Sequence, residues 1–153
     1  MRFSHLAILL TILLLGLTPA LAQEPPTPEK TTEIRDKFRG FPCQDVTKAM
    51  LSHTKRGDYT YGFALLTDKA QKKVNFSRFC SRMKRFEYPE GSYSTNPHKV
   101  DDDTFRVECY LMTSVSGKKK TVGSKKPVYE MVMKKVDECW LVDKVISKTV
   151  KIP

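Results

Sequence analysis

The chain has 153 residues, of which 27 are basic and 17 acidic, so its net charge is +10. It contains four cysteines but no C-x-x-C pair, which excludes zinc sites of the finger or ribbon type. No G-x-S-x-G, H-E-x-x-H or glycine-rich phosphate-binding motif occurs either. These patterns argue against the common serine hydrolases, zinc proteases and P-loop proteins, and we expect neither a metal nor a cofactor.

The first 22 residues have the three parts of a secretory signal peptide. Arg2 precedes an apolar run from Leu6 to Leu17, and Ala20 and Ala22 form an A-x-A cleavage site. The run is about a dozen residues long, whereas a membrane-spanning helix needs ~20. Cleavage after Ala22 predicts a secreted, extracellular protein without a membrane span, and removing Arg2 leaves 26 basic residues against 17 acidic ones.

The mature chain is predicted to begin with a polar N-terminal tail over residues 23–40. The stretch from Gln23 to Thr32 contains three prolines and scattered charges, which do not build a hydrophobic core. A single domain is then predicted over 41–150. A chain of this length is long enough to bury one core.

Three helices are predicted to open the domain. The first covers 45–55, where apolar residues recur at helical spacing, and Gly57 ends the pattern. The second covers 59–67, with Asp58 as its N-cap. The third helix has the clearest apolar stripe, formed by Phe76, Phe79, Cys80, Met83 and Phe86.

Strands are predicted to follow the helices. The loop-forming residues after Pro89, from Glu90 to Pro97, predict a loop, and Asp101 to Asp103 are predicted to form a turn. Apolar and polar residues alternate over 105–114, which indicates a half-buried strand. A basic loop at 116–126 leads to strands at 128–136 and 139–150. Helices followed by an antiparallel meander indicate an α+β fold with the helices packed on one face of the sheet.

Three short segments are distinctive within this order of elements. They are the KRGDY turn at 55–59, the leucine pair at 65–66 and the CWLVDKV strand at 139–145. Together they resemble the nuclear transport factor 2-like superfamily over about 41–150. The resemblance implies a curved antiparallel sheet that forms a cone around an apolar pocket. A cystatin-like fold is the alternative, but Ser114 to Gly117 lacks the Gln of the cystatin Q-x-V-x-G hairpin.

The implied pocket leaves the function open, because members of one fold use such pockets differently. Our first hypothesis is a secreted, non-enzymatic protein that binds a small apolar ligand or a protein partner. The alternative is a pocket enzyme of isomerase or hydratase type, in which Asp143 acts with Tyr59, Tyr61 or Tyr110. A carboxylic acid that is desolvated among apolar groups can act near neutral pH, which is the physical basis of this alternative.

Two histidines follow the signal peptide. His53 lies three residues after Met50 on the first predicted helix, and His98 lies in the predicted loop beside Pro97. A general base needs a partner within hydrogen-bonding distance, and the sequence identifies no partner for either histidine. No residue is therefore assigned a catalytic role.

A third hypothesis concerns the basic loop. Clustered cations attract polyanions such as anionic glycans in a salt-dependent way. A charged hairpin that is simply solvated and resists pairing with other strands would have the same composition. The lysines concerned are Lys118, Lys119, Lys120, Lys125 and Lys126.

Two covalent modifications follow from the secretory prediction. Four cysteines in an oxidising compartment predict two disulfide bonds, with three possible pairings, and buried free thiols are the alternative. Proximity by element favours Cys43 with Cys80 and Cys109 with Cys139, and cross-pairing stays open. Asn75 begins an N-F-S sequon, so it is a glycosylation site or simply a helix cap. The chain is expected to be a monomer or a homodimer.

Overall fold

A computed structural model describes residues 23–84, 91–114, 121–124 and 126–147. Within these residues, every helix precedes every strand along the chain. The helices are α1 (Pro28–Asp36), α2 (Cys43–Lys55), α3 (Tyr59–Ala64), α4 (Asp68–Lys73) and α5 (Phe76–Met83).

The strands form one antiparallel sheet in the order β1, β2, β4, β5. Strand β2 is long enough to pair with two strands on the same side, first with β4 and then with the short β3. The strands are β1 (Gly91–Asp101), β2 (Thr104–Ser114), β3 (Thr121–Gly123), β4 (Tyr129–Val136) and β5 (Cys139–Ser147).

The core lies between the helices and one face of this sheet. Alternate residues of β2 and β4 are fully buried, as the two-residue period of a strand requires. Helix α2 packs against them, and the hydroxyl of Thr47 lies 3.5 Å from the sulfur of Met133. The predicted α+β class, with helices packed on an antiparallel sheet, is confirmed.

Helix α1 lies in the segment that the sequence predicted as a polar tail. Thr27 caps the helix by accepting a hydrogen bond from the Lys30 amide at 3.2 Å. Pro28 occupies the first position, where a missing N–H leaves no helical bond unmade. Ile34 is the anchor, since it is only 1% exposed and belongs to the core. The folded part of the chain therefore begins well before residue 41.

The residues before α1 also contact the fold. The Gln23 side-chain amide donates a hydrogen bond to the Gly57 carbonyl and accepts one from the Tyr59 amide at 3.0 Å. The Thr60 hydroxyl donates to the Glu24 carbonyl at 3.0 Å. This N-terminal segment is thus attached to the turn between α2 and α3.

Strand β1 occupies most of the segment that was predicted to be a loop. It pairs with β2 from Gly91, opposite Thr113, to Asp101, opposite Thr104. Pro97 is tolerated because β1 is an edge strand of the described sheet, where an N–H group need not be shared with a further strand. The prediction of a loop was wrong because the strand is mostly polar, and nothing in the sequence of 91–101 indicates that it pairs with β2.

Helices α2, α3 and α5 lie where the sequence predicted helices. Gly57 has a positive φ of 80°, which fits its role in ending α2. Asp58 caps α3 by accepting a hydrogen bond from the Tyr61 amide at 3.2 Å. The second predicted helix ends at Ala64, three residues earlier than predicted, and Thr67 caps the separate helix α4 that follows it.

Candidate functional site

A cavity of about 710 Å³ lies between α4, α5 and β5. Pockets that bind small molecules have volumes of about 300–1,000 Å³. Six of the residues that line it are apolar and four are charged. The apolar residues are Leu66, Ala70, Val74, Phe79, Met83 and Val145, and the charged ones are Lys73, Arg82, Asp143 and Lys144.

Helical spacing places the apolar residues of α4, and those of α5, on the side of each helix that borders the cavity. Ala70 and Val74 are four residues apart, as are Phe79 and Met83, so each pair lies on the same face of its helix or helix end. Phe79 and Met83 are buried even though they border the cavity. The stripe of the third predicted helix therefore supplies one wall of the cavity as well as part of the core.

A bulge in β5 sets the opposite wall. Val132 pairs with Lys144 and Met133 pairs with Val142, so the register skips Asp143. A bulge redirects the side chain of the extra residue and often lies next to a functional site. Here the bulged residue lines the cavity.

Thr67 connects the two walls. Its hydroxyl donates a hydrogen bond to the Asp143 carboxylate at 2.9 Å and accepts one from the Ala70 amide at 3.1 Å. Its own amide donates to the Val142 carbonyl at 2.9 Å, and the Val142 amide donates to the Leu65 carbonyl at the same distance. These bonds fix the start of α4 against β5 and hold the Asp143 carboxylate in place.

Positive charge predominates at the mouth of the cavity. Lys73, Arg82 and Lys144, which we call the rim cations, are exposed, whereas Asp143 is half-buried. None of the rim cations forms an ion pair with any residue that the structure describes. The rim thus carries three cations and a single carboxylate.

The enzyme hypothesis paired Asp143 with a tyrosine, and the structure places these groups apart. Tyr59 is buried and Tyr61 half-buried on α3, and neither lines the cavity. Tyr110 lies on β2, where its hydroxyl donates to Glu108 at 2.9 Å. Over the described part of the chain, the cavity contains the predicted carboxylate without any of these three tyrosines.

Both histidines have partners that the sequence analysis did not identify. Nδ1 of His53 lies 2.9 Å from Oδ2 of Asp58, and its ring stacks on Tyr61 at 3.6 Å. Nε2 of His98 lies 3.1 Å from Oε2 of Glu108 on the neighbouring strand. Asp58 is only five residues from His53, so the G-D turn in the sequence could have identified Asp58 as the partner of His53. Neither histidine lines the cavity.

The four cysteines are free thiols in the structure, so the predicted disulfide bonds are not formed there. The favoured pairing of Cys109 with Cys139 disagrees with the strand register. Cys109 pairs with Tyr129 at one end of β4, and Cys139 pairs with Val136 at the other. Seven residues of strand span roughly 23 Å, whereas the Cα atoms of a disulfide lie within about 7 Å.

The favoured pairing of Cys43 with Cys80 is also unsupported. Cys43 begins α2, and Thr54 lies eleven residues later, about 16 Å along the helix. Cys80 follows Phe79, and a Cβ placed on Gly62 would contact both Phe79 and Thr54. Cys80 is therefore near the opposite end of α2 from Cys43.

We expect alkylation with iodoacetamide to find four thiols after denaturation without reductant. In the native protein the half-buried Cys80 should react first, because the other three thiols are buried from the reagent. Burial raises the pKa of all four thiols, and that of Cys109 is raised to about 12. Only the thiolate reacts, and a raised pKa lowers its fraction at pH 8. Mass spectrometry that counted fewer than four alkylated cysteines would reveal a disulfide bond.

The two remaining predicted sites are the glycosylation site and the basic loop. Asn75 is exposed and caps α5, with its side-chain oxygen accepting a hydrogen bond from the Arg78 amide at 2.9 Å. Its glycosylation stays a prediction. The cap is compatible with a glycan, because the glycan is carried by the side-chain nitrogen and the cap is formed by the side-chain oxygen. Lys126 is exposed. Lys118, Lys119, Lys120 and Lys125 lie outside the described residues.

The described residues contain no helix with the length and apolar character needed to cross a membrane. Nor do they bring together three or more histidine, cysteine or carboxylate side chains in a group that could hold a metal ion.

Comparison with known proteins assigns no family to this chain. No protein-family model and no curated protein sequence matches the chain. A solved structure from Shewanella oneidensis MR-1, an NTF-2 like protein of unknown function, is 13% identical. The match covers 66% of this chain and 91% of that chain, with a TM-score of 0.43. A likeness of this extent assigns neither a family nor an activity, and the α+β class rests on the chain's own helices and sheet.

Proposed function

We propose that this chain is a secreted, non-enzymatic protein that binds a small apolar molecule in the cavity between α4, α5 and β5. The observation that carries the proposal is the apolar wall, which is formed by six side chains from α4, α5, β5 and the residues just before and just after α4. Covering apolar surface stabilises a complex by about 25 cal/mol per Å². A molecule that fills the cavity is bound through this burial of apolar surface, and the protein need not catalyse any reaction.

The surroundings of Asp143 favour binding over catalysis. Its carboxylate accepts a hydrogen bond from Thr67, and Tyr59, Tyr61 and Tyr110 lie away from the cavity. A general base must lie within reach of the proton that it removes, usually with a second group that stabilises the product. The described cavity offers one positioned carboxylate and none of the three tyrosines that the enzyme hypothesis requires, which favours binding over proton transfer.

We propose that the chain is a nuclear transport factor 2-like protein, and this proposal rests on its own elements. The KRGDY turn at 55–59 ends α2 through Gly57 and starts α3 through the cap from Asp58. The sheet then follows, and its last strand begins with Cys139 and Trp140. Secretion is proposed from the signal-like first 22 residues.

The binding proposal is tested with N-phenylnaphthylamine, a neutral apolar probe whose fluorescence rises when it leaves water. We expect the protein to bind it, and we expect Val74→Trp or Val145→Trp to weaken binding at least tenfold. Both valines are half-buried wall residues on different elements, so tryptophan fills the cavity from either side. Failure of the unmodified protein to bind the probe would overturn the proposal.

Lys72→Trp is the matched control. Lys72 is exposed on α4 and does not line the cavity, so the same large side chain there should leave probe binding unchanged. Circular dichroism of all three variants shows whether each is folded. Equal loss of binding in the control and the cavity variants would place the probe elsewhere on the surface.

A further inference from the structure

We infer that the molecule held in this cavity is an amphiphile with an apolar body and an anionic head group, of the kind represented by a long-chain monocarboxylate. The inference rests on the proposed function and adds the charge of the ligand to it. Its basis is the set of rim cations, Lys73, Arg82 and Lys144, which border the same cavity as the apolar wall.

The rim cations, unlike the paired cations of the α1 region, have no carboxylate partner among the described residues; they share this with other exposed cations of α4 and α5, and they are distinguished by bordering the cavity. On α1, Lys30 and Lys37 both pair with Glu33 at 2.9 Å, and they hold the pKa of that carboxyl down to about 2. Lys73 and Arg82 have no such partner among the described residues. An anion at the mouth of the cavity would supply the missing negative charge.

The rim cations come from three different elements. Lys73 is the last residue of α4, Arg82 lies in the last turn of α5, and Lys144 follows the bulge of β5. Because all three border one cavity, their fields add at its mouth. The single carboxylate there, Asp143, already accepts a hydrogen bond from Thr67 and offsets only part of this charge.

The apolar wall and the charged rim together define the class of ligand. A free inorganic anion would satisfy the rim and leave the apolar wall in contact with water, and a wholly apolar molecule would leave the cations unpaired. An amphiphile satisfies both parts at once. The rim cations are exposed, so their contribution should be moderate and should decline as salt is added.

The test compares lauric acid with dodecanol, which has the same chain length and a neutral head group, as competitors for N-phenylnaphthylamine. At pH 7 and low salt we expect lauric acid to bind about tenfold more tightly than dodecanol, which is about 1.4 kcal/mol. The triple variant Lys73→Gln, Arg82→Gln, Lys144→Gln should lose this preference and keep its affinity for dodecanol within about twofold.

A second triple variant controls for total charge. Lys69→Gln, Lys72→Gln and Arg78→Gln remove three exposed cations from the same two helices, and none of these residues lines the cavity. We expect this protein to prefer lauric acid as the unmodified protein does. An equal loss in both triple variants would show attraction by net charge alone and would overturn the inference.

The outcomes separate the inference from the proposed function. If the probe binds and both competitors displace it equally, the cavity binds apolar molecules and the inference about the head group is wrong. If the probe does not bind at all, the proposed function itself is wrong. Asp143→Asn gives an independent check, since removing the one carboxylate of the rim should increase the affinity for lauric acid relative to that for dodecanol.

Discussion

Replacing Gly62 with valine is expected to lower the free energy of unfolding by about 3 kcal/mol, the upper part of the range for overpacked sites. A Cβ at this position would lie 2.8 Å from Oγ1 of Thr54 and 3.4 Å from the Phe79 ring. The Thr54 hydroxyl is buried and donates to the Met50 carbonyl at 2.7 Å, so it cannot move aside without losing that bond. Urea denaturation measures the change.

The control for this prediction removes the obstructing atom. Thr54→Ala deletes Oγ1 and should make space for a Cβ at position 62, so Gly62→Ala should cost less in the Thr54→Ala background than alone. Such non-additivity is the signature of two residues in contact. Strict additivity of the two changes would contradict the close approach of α2 and α3 at this point.

The same contact connects the core to the candidate site. The Phe79 ring packs edge-to-face on Phe63, with ring centres 5.4 Å apart, and also borders the cavity. A side chain at position 62 that displaces this ring would change the wall of the cavity. Gly62→Val should therefore weaken binding of the neutral probe even in the fraction of protein that remains folded.

The helices that the sequence predicted are those whose signals are local. Gly57 and Asp58 end one helix and begin the next, and both act through residues within a few positions along the chain. The apolar stripe of α5 follows from helical spacing alone and correctly indicated that Phe79 and Met83 would be buried. Local patterns of this kind can be interpreted without knowing the rest of the fold.

The two elements that were missed depend on distant partners. Strand β1 contains Pro97 and is mostly polar, and it forms because each residue finds a partner on β2. Helix α1 is equally polar and is held by Ile34 in the core. Neither partner is encoded near the element, so composition suggested a loop and a tail.

The candidate site was only partly predictable for the same reason. The sequence singled out Asp143 and implied an apolar pocket, and the structure does place Asp143 at a cavity. The rim cations lie on three elements, so their positions in the sequence do not show that they meet at one cavity. The lysines of the 116–126 loop drew attention instead, because they are adjacent in the chain.

Replacing Arg35 with methionine is expected to lower the free energy of unfolding by about 3 kcal/mol, a value typical of a lost charged hydrogen-bond donor to more than one buried acceptor. Nε of Arg35 donates to the Ala64 carbonyl at 3.0 Å, and Nη2 donates to the Leu66 carbonyl at 2.7 Å. These carbonyls lie at and just beyond the end of α3, where helical partners are missing. Urea denaturation measures the loss, and methionine keeps the aliphatic stem.

Asp68→Asn separates these backbone contacts from the ion pair. Nη2 of Arg35 also lies 2.8 Å from the Asp68 carboxylate, which is 74% exposed, so losing this pair should cost a few tenths of a kcal/mol. Hydrogen exchange should become faster throughout α1 in Arg35→Met and remain slow in Asp68→Asn. Leu66 lines the cavity and adjoins Thr67, so release of α1 should also weaken probe binding. Equal destabilisation by the two substitutions would show that the ion pair, and not the backbone contacts, holds α1 in place.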